Sequence, residues 1–166
     1  MDAILNRKSI RKYKDINVSD EIVQELLKAG MAAPSAGNEQ PWEFIVLRDK
    51  EIMRKITEVH PYSKMLLNTD VAIIICGDES KEIFEGLWVQ DCSAATENIL
   101  VAAEDKGLGA VWLGVYPIAD RVDAIKELLN LPSSVIPLSI VPVGYPDEER
   151  EPADRFNKTR IHYDKW

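Results

Sequence analysis

Two arginines flank a serine near the amino terminus, in the run Arg7-Lys8-Ser9-Ile10-Arg11-Lys12-Tyr13. Guanidinium forks bind anionic oxygens bidentately and a hydroxyl adds a neutral donor, so this grouping suits one small anion. Within residues 1–14 the basic side chains Arg7, Lys8, Arg11, Lys12 and Lys14 meet a single acid, Asp2, although the chain as a whole carries a formal charge of −8. A solvated basic face would also account for such a cluster taken alone. A second polar segment, Pro34-Ser35-Ala36-Gly37-Asn38-Glu39-Gln40-Pro41, is bounded by prolines and reads as a loop. A third, Trp112-Leu113-Gly114, is followed by Gly144-Tyr145-Pro146 and an arginine-bearing tail.

The side chains that usually carry reactions are sparse. Cys76 and Cys92 are too few for a disulfide scaffold. With His60 and His162 they show neither CxxC nor HxxxH spacing, so no metal site is expected. Gly107, Gly109 and Gly114 fail the dinucleotide fingerprint, because Trp112 occupies its third glycine position and the run precedes a strand. There is no GxxxxGK[ST] loop and no GxSxG elbow. Cys92 falls in an apolar helix and reads as a core residue, and both histidines, in polar or proline-flanked segments, are expected at the surface. The acids at 147–149 read as a solvated turn. No side chain offers an obvious nucleophile or base, which points to a cofactor as the reactive group.

These segments must be held by a chain of 166 residues with 46% hydrophobic content, the size and composition of one globular domain. Its acidity argues against nucleic-acid binding. A charged start in place of an apolar leader, and no apolar run of membrane-spanning length, lead us to expect a soluble cytoplasmic protein without membrane contact. Periodicity predicts a helix from Ser19 to before Pro34, a strand at 42–48, a helix from Asp49 to Val59 and a buried strand at 70–77. The longest helix is expected at 84–106, apolar on several faces, and a partner subunit would cover it. A strand at 109–115, a helix capped by Asp120 and ending at Leu129, and a strand at 138–145 complete the core; 147–166 reads as an extended tail. Alternating strands and helices, taken alone, suggest a doubly wound parallel α/β sheet.

In order and spacing, the three segments over about residues 1–160 resemble the short form of the FMN-dependent nitroreductase family. The resemblance implies an α+β fold instead, a mixed sheet packed between helices. It also implies a homodimer with FMN at the interface, built on the long central helix, with carboxy-terminal arms wrapping the partner. Residues 1–146 would form the FMN-binding domain and 147–166 the arm. Arg7, Ser9 and Arg11 match the family's phosphate- and ribityl-binding opening, with Lys8 adding backbone contacts. Arg155 matches a further phosphate ligand, with Arg150 as its competitor. Pro34, Ser35, Ala36, Gly37, Asn38 and Gln40 match a loop whose small residues lie against the isoalloxazine of the other subunit, Asn38 and Gln40 facing its pyrimidine edge. Leu113 and Gly114 match backbone near flavin N5, Lys64 or Asn68 the O2 side, and Trp112 is expected to pack in the core.

The implied activity takes hydride from NADH or NADPH onto flavin N5, then passes electrons to a small-molecule acceptor such as a nitroaromatic or quinone. One site serving both in turn implies ping-pong kinetics. Dehalogenating, enone-reducing and flavin-destroying relatives share such a site, and a non-catalytic FMN-binding or redox-sensing module is the reading from another class.

Overall fold

The computed structural model describes residues 1–166. A short helix, α1 (Asp2–Asn6), precedes α2 (Asp20–Met31), whose first turn is closed by the Ser19 hydroxyl accepting from the Ile22 N–H. Strand β1 (Trp42–Leu47) leads to α3 (Lys50–Val59), capped by Asp49, and then to β2 (Val71–Asp78). The central helix α4 (Trp88–Asp105) is followed by β3 (Gly109–Ala110), β4 (Leu113–Gly114), α5 (Ala119–Leu129) and β5 (Val135–Gly144).

The sheet runs β1-β2-β5-β3, with β4 also on β5, and every strand pair is antiparallel. The one parallel contact is a bridge between Ser9 and Ala110. The doubly wound parallel sheet is therefore wrong and the α+β architecture holds. Both kinds of sheet bury strands on two faces, so the apolar run VAIII could not reveal strand direction. The connection after β1 decides it: Leu47 pairs with Ala72, so α3 and residues 60–70 go out and return to the same end of the sheet.

Alternation along β2 supplies two cores. Val71, Ile73 and Ile75 join α2 and α4 on one face, through Leu26, Cys92, Ala95 and Ile99. Ala72, Ile74 and Cys76 join α3 and α5 on the other, through Met53, Ile56 and Ile125. Helices thus cover both faces, and the chain forms three layers.

Four boundaries differ from expectation, the simplest being the last strand, which begins at Val135 rather than at 138. The expected strand 109–115 is split, because Gly109–Ala110 and Leu113–Gly114 keep one register on β5 while Pro142, which has no N–H, stands in the gap. The central helix starts at Trp88 because Gly86 takes a left-handed φ of 81° and the Ile83 and Phe84 N–H groups go to Glu39. Asp120 lies inside the first turn of α5; Ile118 is the capping position and makes no side-chain bond. The tail is exposed, including Phe156, Tyr163 and Trp166.

Candidate functional site

From Arg7 the chain leaves α1 in extended form and runs beside the end of the sheet. Ile10 N–H donates to Ala110 O at 3.0 Å, Lys14 N–H to Tyr145 O at 2.8 Å, and Asp147 N–H to Lys12 O at 2.9 Å. Ile10 is buried, and its side chain fills the space where a Cβ on Gly109 would stand. Side chains alternate on such a strip, so Ser9 and Arg11 face away from buried Ile10. Arg7 Nε lies 3.3 Å from Glu97 Oε1, and Lys8 Nζ 3.0 Å from Glu104 Oε1, so α4 backs the basic opening with two carboxylates.

The two tail arginines are placed differently. Arg150 Nε donates to Glu148 Oε2 at 2.9 Å, and Glu148 also accepts the Arg11 and Lys12 N–H groups. Partial burial raises the Glu148 carboxyl, but these backbone donors and the Arg150 guanidinium bring it below the usual carboxylate range. Arg150 and Lys8 line a cavity of about 330 Å³. Arg155 lines a separate cleft of about 610 Å³ with Ile4, Leu5 and Asn6, beside Arg7 in sequence. Asn68 lines a third, with Tyr13 and Lys14, whereas Lys64 is exposed.

The loop at 34–40 closes on itself. Ser35 Oγ accepts the Gln40 N–H at 3.1 Å, and Gln40 Nε2 donates to Asn38 Oδ1 at 2.9 Å. Gly37, Asn38 and Gln40 all take positive φ, of 53°, 59° and 48°. Gly37 is required here, because a Cβ would lie 2.8 Å from the Phe84 ring in addition to the backbone cost. The Ala36 N–H donates to Asp91 Oδ1 at 3.0 Å, fastening the loop to the start of α4. Pro34, Gly37, Asn38 and Gln40 are exposed; Ser35 and Ala36 are half-buried.

Leu113 is buried, while a Cβ on Gly114 would meet nothing within 4 Å, so open space lies against that residue. Its carbonyl accepts from His60 Nε2 and Arg121 Nη1, both at 2.9 Å. Arg121 lies 5.8 Å from the centre of the Tyr62 ring. His60 is not at the surface: it is 1% exposed, and its Nδ1 accepts the Tyr62 N–H. An Nδ1 that accepts and an Nε2 that faces a carbonyl define the neutral Nε2–H tautomer, and burial keeps the ring below its ordinary basicity. His60 continues the buried α3 stripe of Met53 and Ile56, a spacing that could have revealed it. Trp112 is half-buried against the main core, and burial pushes the Cys76 and Cys92 thiols up to about 12. Neither thiol supplies a nucleophile at neutral pH.

The opening, β3 and the start of the tail are thus brought together, whereas the loop is not. The loop binds Asp91 while the opening pairs with Glu97 and Glu104, roughly 9–20 Å further along α4 at 1.5 Å per residue. No group of three His, Cys, Asp or Glu side chains could hold a metal ion, and no helix is long and apolar enough to cross a membrane.

A family profile described as "Nitroreductase family" matches residues 4–145. A Methanothermobacter thermautotrophicus protein with the provisional name NADH dehydrogenase/NAD(P)H nitroreductase is 52% identical over 100% of this chain and 87% of its own. An FMN-dependent nitroreductase structure from Clostridium difficile R20291 superposes with a TM-score of 0.92 at 32% identity, covering 100% of both chains. A Desulfovibrio desulfuricans structure, provisionally named a nitroreductase and solved in complex with FMN, gives 0.86 at 30% identity, covering 99% of this chain and 95% of its own.

Proposed function

We propose that this chain, which belongs to the Nitroreductase family, is an FMN-dependent oxidoreductase fed by NADH or NADPH that reduces nitroaromatic, quinone or similar small acceptors as a homodimer. The observation that carries the reading is the convergence of Arg7, Lys8, Ser9 and Arg11 on one strip of an acidic chain, with Arg155 in the adjoining cleft. That donor set fits a flavin mononucleotide's terminal phosphate, and the open space against Gly114 fits a flat ring. When bound, FMN supplies the hydride and electron transfer for which no side chain here is equipped.

The protein's own groups bind and orient. Arg7, Arg11 and Arg155 hold phosphate oxygens, Ser9 donates a hydroxyl, and Lys8 contributes backbone. Leu113 and Gly114 present main chain to the reactive edge, and His60 with Arg121 fixes the Gly114 carbonyl so that this segment does not shift. Asn38 and Gln40, which hydrogen-bond each other here, would hold the pyrimidine edge, with Pro34, Ser35, Ala36 and Gly37 shaping the loop. The loop, fastened to Asp91 at the start of α4 while the opening meets Glu97 and Glu104, is read as serving the partner's site, as the family resemblance implies. Residues 1–146 form the binding domain, and 147–166 the arm.

Reductant and acceptor occupying one place in turn should give parallel double-reciprocal lines when NADH or NADPH and a quinone or nitroaromatic are varied together. Intersecting lines would mean that both bind at once and would overturn the shared-site account.

A further inference from the structure

Two buried side-chain oxygens have no hydrogen-bond partner in the protein, Glu39 Oε1 and Asp91 Oδ2. They belong to carboxyls that brace the same corner. Asp91, 6% exposed, uses Oδ1 to accept the Ala36 N–H at 3.0 Å. Glu39 uses Oε2 to accept the N–H groups of Ile83 at 2.6 Å and Phe84 at 3.2 Å, just before α4. Each carboxyl thus spends one oxygen on backbone and keeps the other buried without a partner at the same corner between the loop and α4.

Two ionised carboxylates with oxygens buried at one corner repel, and each would leave an acceptor unsatisfied. A single proton between them removes both faults. We propose that Asp91 and Glu39 share one proton, and that the resulting hydrogen bond latches the 34–40 loop onto the first turn of α4.

The surroundings place that proton on Asp91. Burial raises its carboxyl, the Ala36 N–H opposes the rise, and contact with Glu39 and the charge of Glu82 add to it. Glu82 accepts the Trp88 N–H at 3.2 Å, the Cys92 thiol stands beside Asp91 on α4, and Lys81 is turned away onto Glu43. No cation meets the pair. A raised carboxyl value means that the folded loop holds the proton better than an unfolded one. The latch is therefore intact at low pH and is lost as pH rises through that raised value. The consequence for cofactor retention rests on the FMN reading above, because that reading sets this loop against the ring.

Hydrogen exchange of amides 35–40, corrected for intrinsic rates, tests the latch in the full-length protein across acid, neutral and alkaline pH. Protection in the wild type should fall about tenfold from acid to alkaline, the size of one charge-assisted hydrogen bond. Asp91→Asn should remove the dependence, because the amide donates to Glu39 at every pH and its oxygen still accepts from Ala36. Glu39→Gln should do the same, donating to the Asp91 carboxylate. Flat protection in the wild type, or Asp91→Asn losing protection at every pH, would overturn the latch. FMN release measured on the same samples should accelerate with the loss of protection. Protein that shows the exchange result without binding FMN supports the latch and sinks only the flavin reading.

Discussion

Arg7→Ala is expected to weaken FMN binding by about 2–4 kcal/mol, the largest loss from any one side chain of the opening. In the wild type, Arg7 Nε lies 3.3 Å from Glu97, with 21% of its side chain exposed, so a neighbouring carboxylate already orients the guanidinium. On the phosphate-binding reading, removing it would take one fork from the phosphate and leave Glu97 beside an anion without its neutralising partner. Both terms act in the same direction. Glu97→Gln in the Arg7→Ala background should therefore recover part of the affinity, which a lost contact alone would not allow. Arg155→Ala should show a smaller loss, since Arg155 sits on the exposed tail and its Nη1 bonds only Ala153 O at 3.4 Å. Flavin titration checks all three, and wild-type affinity in Arg7→Ala would reduce the Arg7–Glu97 pair to a solvated surface contact.

Deleting residues 157–166 should weaken the dimer and FMN retention together. Ile161, Tyr163 and Trp166 are 42%, 84% and 101% exposed in the single chain, and burying a large apolar side chain is worth roughly 1.5–3 kcal/mol. A groove of about 490 Å³ between α1, α2 and α4, lined by Ile4, Ala32, Val101 and Ala102, leaves further apolar surface open. The twofold dimer proposed above would cover both surfaces and bring each 34–40 loop to the partner's opening. The interface should be of the obligate kind, above about 2,000 Å² in total, and flavin binding linked to association. Analytical ultracentrifugation with flavin absorbance reads both at once. A truncated protein that stays dimeric and yellow would refute the role given to the tail.

Local chemistry made much of this fold readable in the chain. Ser19 and Asp49 announce their helices by capping, and the VAIII run needs no partner strand to be recognised as buried. Strand direction was not readable, because it depends on where the 48–70 connection returns. The basic opening was legible because five cations against one acid stand out in a chain of charge −8. The burial of His60 could be read only from its place on the α3 stripe of Met53 and Ile56, and the partners of His60 and Asp91 could not be read at all. A proline beside one and an apolar helix around the other gave no local sign that a carbonyl and a second carboxyl would be brought to them through space. Polar groups buried by tertiary contact leave their partners far away in sequence, so pattern reading passes over them.

The central claim is tested most directly by the absorbance of the purified protein, reconstituted with FMN and then mixed with NADH or NADPH in the absence of oxygen. We expect one tightly bound FMN per subunit, preferred over FAD, and bleaching of its yellow absorbance by at least one of the two nicotinamides. A colourless protein that cannot be reconstituted, or bound FMN that neither nicotinamide reduces, would contradict it.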